Sequence, residues 1–195
     1  MGKIYYIMGK SSSGKDTLFK AVRDSVPKLR TVTLYTTRPP REGETDGVEY
    51  YFISDDIMEM YAAKGKVIEL RTYNTVHGAW KYATIDDGQI HLEEADYLMI
   101  GTLESYEKMC AYYGKDVLVP IYIEVEDGER LSRALSRERQ QARPRYAELC
   151  RRFLADTEDF SEENLLAAGI RKRFYNDDKT KCLEEIIGEI QHGKL

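Results

Sequence analysis

The sequence predicts an α/β protein built on a parallel sheet with helices on both faces. Short β-like runs alternate with helical patterns along its 195 residues, as crossover-connected parallel strands require. One of those runs, Val117–Val125, is apolar enough to lie in the middle of a sheet. The chain also opens on Ile4-Tyr5-Tyr6-Ile7-Met8, which ends at Gly9 and is followed by Gly14, Lys15 and a helical pattern.

That opening is a phosphate-binding loop, G-x-x-x-x-G-K, with a strand before it and a helix after it. The glycines let the backbone curl so that its N–H groups face a phosphate chain, a nest closed by a helix N-terminus. Lys15 would reach the β- and γ-phosphates of a nucleotide, so ATP is the expected ligand. Gly9, Ser11, Ser12, Ser13, Gly14, Lys15, Asp16 and Thr17 are the candidate nucleotide-binding residues. Asp16 stands where the motif has Ser or Thr to hold Mg²⁺, which makes it the candidate metal ligand, directly or through water. Leu18, Val22 and Val26 follow at four-residue steps, one face of a helix that stops at Pro27.

A second strand is expected over Leu29–Tyr35, then a loop over Thr36–Asp46 stiffened by Pro39 and Pro40. Glu49–Ile53 reads as a strand. Ser54 caps a helix through about Lys64, with Asp55 and Asp56 at its positive end. Strands are expected over Val67–Tyr73 and Trp80–Thr84, with a turn at Gly78. Tyr97–Ile100 is a short strand and Leu103–Tyr113 a helix. A helical, arginine-rich stretch runs from Asp127 towards Phe160. Arg173–Tyr175 reads as a last strand, and Leu183, Ile186, Ile187 and Ile190 mark a final helix. The short strands within 34–84 suggest a smaller antiparallel lobe inserted between the second and third core strands.

A chain of this length supports one domain that buries roughly 70% of its unfolded surface. The net charge of −5 argues against a general nucleic-acid or membrane binder. Ile4–Met8 is too short for a membrane span or a signal-peptide core. Cys110, Cys150 and Cys182 are odd in number and far apart, which suggests reduced thiols in a cytoplasmic protein. His77, His91 and His192 are scattered, so no histidine metal site is expected. Oligomeric state is not legible.

Three further groups carry chemistry. Arg38 and Arg41, three residues apart on the proline loop, can clamp a phosphate with bidentate forks or form a solvated basic turn. Glu69 is a carboxylate within the apolar run Val67-Ile68-Glu69-Leu70 and should have partners. An arginine is one such partner; the N1–H and N2–H₂ edge of guanine is another. Tyr50, Tyr82 and Thr84 add hydroxyl groups on the same lobe. The run Arg130, Arg133, Arg137, Arg139, Arg143, Arg145, Arg151 and Arg152 has too few acids to neutralise it. A segment that closes over a polyphosphate explains the excess.

With these groups in view, the chain resembles the guanylate kinase family, nucleoside monophosphate kinases that move a phosphoryl group from ATP to GMP. The most specific stretch is Tyr35-Thr-Thr-Arg-Pro-Pro-Arg-Glu-Gly-Glu-Thr-Asp-Gly-Val-Glu-Tyr-Tyr-Phe-Ile-Ser54, similar to the family's GMP-binding segment. The resemblance implies a P-loop nucleoside monophosphate kinase fold. Its parts would be a five-stranded parallel core (1–33, 85–126, 161–195), a GMP-binding lobe (34–84) and an arginine-rich lid (127–160). By the same resemblance Arg38, Arg41 and Tyr50 hold the GMP phosphate, Glu69 reads guanine, and Tyr82 and Thr84 lie near further contacts. Lys15, Arg152 and either Arg137 or Arg139 contact the transferring phosphates, and Asn176-Asp177-Asp178 matches the turn before the last helix. ATP and Mg²⁺ are implied, with GMP or dGMP as acceptor. Leu34 and Ile100-Gly101-Thr102 depart from the family's base- and metal-side residues. A ribose 1,5-bisphosphate phosphokinase, which resembles the same family and also carries Gly-Lys-Asp, is the nearest alternative. A non-catalytic guanylate-kinase-like binding module is the other.

Overall fold

The computed structural model describes residues 1–41, 43–75 and 78–192. Its core is a five-stranded, wholly parallel sheet. The strands are β1 (Ile4–Met8), β2 (Arg30–Thr31), β7 (Tyr97–Gly101), β8 (Leu118–Glu124) and β9 (Phe174–Tyr175), in the spatial order β2-β7-β1-β8-β9. The central strand β1 is buried at every position, which is why its sequence is a continuous apolar run rather than an alternating one.

The period of two still sorts its side chains. Ile4, Tyr6 and Met8 face a core shared with α3 (Leu103–Tyr113) and α6 (Glu162–Ala167). Tyr5 and Ile7 face the opposite core, shared with α1 (Lys15–Ser25) and α7 (Lys179–His192). Helices therefore cover both faces, as a parallel sheet requires. Thr102 caps α3 by accepting from the Ser105 N–H, and Ser54 caps α2 (Asp55–Ala63) in the same way through Ile57.

Between β2 and β7 lies a second sheet in the order β4-β3-β6-β5. Its strands are β3 (Tyr35–Thr36), β4 (Tyr51–Phe52), β5 (Val67–Thr75) and β6 (Gly78–Ile85). Tyr35, Met58, Ala83 and Ile85 form its own small core. The sheet is mixed, because β3 pairs with β4 in parallel and with β6 antiparallel.

Several expected bounds shift. Leu29–Tyr35 is not one strand: Arg30–Thr31 joins the core sheet through Tyr97 and Leu98, whereas Tyr35–Thr36 joins the second sheet. Gly78 opens β6 rather than forming the turn, and the expected strand over Glu49–Ile53 shrinks to two residues. The arginine-rich stretch divides into α4 (Asp127–Arg139) and α5 (Tyr146–Asp159). Pro144 lies in the break, where it bars Arg143 from helical geometry. The helix α6 was not expected. No described helix is long and apolar enough to cross a membrane.

Candidate active site

The loop from Gly9 to Gly14 joins the buried β1 to α1. Gly14 adopts φ 85° and begins the helix with no side-chain cap, so the first N–H groups of α1 are open to an anion. A Cβ at Gly14 would lie 2.4 Å from Asn176 Nδ2, which itself donates to the Ser13 carbonyl at 2.7 Å. Ser12 holds φ 65°, a left-handed conformation that costs a non-glycine residue roughly 1–2 kcal/mol. The Ser13 hydroxyl is fully buried and has no partner. Asp16 projects from the first turn with its side chain 81% exposed, 3.8 Å from Lys15 Nζ. Thr17 beside it is exposed. The open amides fit a phosphate, and the exposed carboxylate is a hard oxygen donor that fits a hydrated magnesium ion.

Helices α4 and α5 close against the outside of this loop. Arg137 Nη2 donates to Ser12 Oγ at 3.0 Å. Arg130 is buried, donates to the Ser11 carbonyl at 3.1 Å, and stacks over Phe153 with its Cζ 4.5 Å from the ring centroid. Asp127 receives two of its N–H groups. Asp156 on α5 accepts the Ser11 backbone N–H at 2.7 Å. Arg133 reaches the Asn176 carbonyl at 3.2 Å, tying α4 to the turn that braces Gly14. Arg152 lies 3.7 Å from Glu148 and, with Ser11, Ser12, Arg137 and Phe153, lines a small cavity beside the loop. Arg139 is exposed and makes no hydrogen bond or ion pair among the described residues. Of the two expected alternatives, Arg137 is the one at the loop.

In the bend just after β3, Arg38 is buried and gripped by Glu44 through two bonds of 2.7 and 2.6 Å. Its guanidinium stacks over Tyr50 and Phe52, while its Nε is buried without a partner. Glu44 also accepts the Arg41 backbone N–H. The Arg38 hydrogen bonds, helped by that N–H and both arginine charges, hold the Glu44 carboxyl at about 2, against a smaller opposing effect of burial. Arg41 itself is exposed. Tyr50 and Tyr82 meet edge to face at 5.7 Å. Burial raises the Tyr50 hydroxyl above its ordinary range, and its electrostatic neighbours include Tyr82, Arg38, Arg71 and Asp16. Tyr50 thus lies near enough to the phosphate loop for the Asp16 charge to act on it.

Glu69 and Thr84 are register partners, as are Arg71 and Tyr82. Glu69 has the arginine partner its burial calls for. Arg71 donates from Nε to Oε2 at 3.0 Å and from Nη2 to Oε1 at 3.3 Å, and Thr84 Oγ1 donates to Oε1 at 3.1 Å. Leu34 packs against the core and Ile100 is half-buried. Neither side chain offers a hydrogen bond.

The structure thus brings Lys15, Asp16, Arg137 and Arg152 around the loop, places Tyr82, Glu69 and Thr84 on one sheet, and sets Arg38 and Tyr50 in the segments that flank its strands β3 and β4. Sequence reasoning missed Glu44, Arg71 and Asp156, and counted Arg130 only as one of a run. Glu69-x-Arg71 was visible as a same-face pair at strand spacing. Nothing local marks Asp156, which meets the loop 145 residues away.

A five-stranded parallel sheet with an open phosphate loop after its central strand defines a P-loop nucleoside monophosphate kinase fold. A crystal structure of guanylate kinase from Anaplasma phagocytophilum shares that fold, with a TM-score of 0.68 at 17% identity over 100% of this chain and 87% of that one. The family model for guanylate kinase matches residues 1–96, just under half of the chain, and that match, the fold and the relatives together support the guanylate kinase family. It is 36% identical over 98 residues to a guanylate kinase from Leifsonia xyli subsp. xyli, covering 46% of this chain and 37% of the relative. It is 44% identical over 77 residues to one from Geobacter metallireducens, covering 40% and 36%. The match thus spans well under half the length of the curated relatives.

Proposed function

We propose that this chain transfers the γ-phosphoryl group of ATP to GMP or dGMP. Residues 34–84 form the acceptor lobe and 127–160 the lid over a core of 1–33, 85–126 and 161–195. The observation that carries the reading is Arg38: a buried guanidinium with an orphan Nε, stacked on Tyr50, which abuts Tyr82 and feels the charge of Asp16 on the phosphate loop. An acceptor phosphate oxygen would satisfy that Nε, and Arg41 and the two tyrosine hydroxyls complete the clamp.

The transfer is a direct in-line displacement, so the protein supplies position and charge rather than a covalent intermediate. The open amides from Gly14 to Thr17 hold the donor phosphates, and Lys15 neutralises their β and γ oxygens. Asp16 would hold Mg²⁺, which supplies further charge neutralisation when bound. Arg137, with Arg152 beside it, faces the transferring group from α4 and α5 and helps exclude water. Glu69 and Thr84 form the floor beneath the acceptor's base.

A second reading, a ribose 1,5-bisphosphate phosphokinase, draws on Leu34 and Ile100, which offer a base no hydrogen bond. The test is ADP formation from ATP and Mg²⁺ with GMP, dGMP, AMP, UMP, CMP and ribose 1,5-bisphosphate. GMP and dGMP are expected to lead the other nucleotides by at least about 100-fold in kcat/KM. A preference for the bisphosphate would install the second reading instead.

A further inference from the structure

The buried pair on β5 assigns an acceptor-reading role to a residue outside the phosphate clamp. Glu69 has its side chain fully shielded, whereas that of Arg71 is 13% exposed. Both carboxylate oxygens already accept from Arg71, and one also accepts from Thr84. A ligand above this floor therefore meets a guanidinium first, with the carboxylate beneath it.

The position of that guanidinium is set by register. Arg71 is directly across from Tyr82, so the two side chains share a face of the sheet with Cβ atoms about 5 Å apart. Tyr82 in turn abuts Tyr50, the residue over which Arg38 stacks. A nucleotide whose phosphate sits on Arg38 and Tyr82 thus extends its other end past Arg71. Arginine carries more N–H groups than Glu69 takes, and Nη1 donates to no described group. Leu34 and Ile100 carry no hydrogen-bonding side-chain group.

We propose that Arg71 is a specificity-determining residue that donates to the O6/N7 acceptor edge of the base, so that the acceptor class is 6-oxopurine nucleoside monophosphates. Glu69 acts as a positioning residue that holds the fork in place. The assignment rests on the acceptor reading above and deepens it. The Nη1/Nη2 edge that Glu69 leaves free matches the two adjacent acceptors of guanine, whereas adenine offers N6–H₂ as a donor at the same place. The 2-amino group is not read by this fork, so hypoxanthine satisfies it as well as guanine does.

The test is steady-state ADP formation from ATP and Mg²⁺ with GMP, IMP, AMP and 2-aminopurine riboside 5′-monophosphate, which lacks O6. The wild-type protein is expected to use IMP within threefold of GMP in kcat/KM, and to use the 2-aminopurine nucleotide at least tenfold less well, through KM. Arg71→Met should raise the GMP KM at least tenfold and bring GMP and the 2-aminopurine nucleotide within threefold, with kcat changed less. Arg71→Lys should restore part of the preference. If Arg71→Met fails to fold because Glu69 is left uncompensated, the wild-type panel still decides. GMP turnover with IMP tenfold or more poorer would overturn the role of Arg71 while leaving the acceptor reading intact. A wild-type KM pattern unchanged in Arg71→Met would do the same. ATP binding without ADP formation on any of the purine nucleotides would sink both.

Discussion

Gly14 and Glu44 show how much single positions are asked to do. At Gly14 a left-handed backbone and the Asn176 amide leave no room for a side chain. Gly14→Ala is expected to cut kcat/KM at least 100-fold and to destabilise the fold by about 1–2 kcal/mol or more. Turnover and urea unfolding measured on the same preparation would check both. Glu44 is tied to Arg38, and its folded value of about 2 lies below the usual 4.5. Because the folded value is depressed, the stabilisation is fully present above the ordinary value and lost as pH falls from about 4.5 through about 2. Glu44→Gln is therefore expected to lower stability at pH 7 and to flatten the loss on acidification in that window. Parallel slopes in an unfolding series against pH would contradict this. The same variant frees the Arg38 fork, so the GMP KM should change more than kcat.

At the scale of elements, the contacts between α4, α5 and the phosphate loop set what the arginine-rich stretch does. Arg130 is structural: buried, stacked and bonded to the Ser11 carbonyl. Arg137 is exposed and touches Ser12, so it is available to a transferring phosphate. Arg137→Ala is expected to lower kcat by at least about 1,000-fold, the lower end of what an arginine on the transferring phosphate contributes, with the GMP KM within threefold. A matched loss in both parameters would place Arg137 in acceptor binding instead. The elements also show what the sequence could reveal. The strand, loop and helix at the start were legible because their signals are local: apolar run, glycine spacing, four-residue periodicity. The division of Leu29–Tyr35 between two sheets was not, since Tyr97 and Ala83, far along the chain, select the partners. Arg71 lay in plain view beside Glu69, but its role depends on the register that sets it against Tyr82.

Across the whole molecule, the chemistry gathers at the end of the central strand. The loop after β1 and the helices after β8 meet around the Gly9–Gly14 turn. Cys110 and Cys182 are buried and Cys150 is exposed, all three as free thiols. The proposed phosphate-facing half of the site can be read from the sequence because its residues lie in short contiguous motifs. The base-facing half depends on side chains set across two strands, where Leu34 and Ile100 offer no hydrogen bond. The central claim is that phosphate passes from ATP to GMP on this scaffold. Its most direct test is transfer of label from [γ-³²P]ATP into GDP with GMP and Mg²⁺, using the wild-type protein and Lys15→Ala. Labelled GDP from the wild type and at least about 1,000-fold less from the variant is the expected result; label released only as inorganic phosphate, or equal labelling by both proteins, would contradict it.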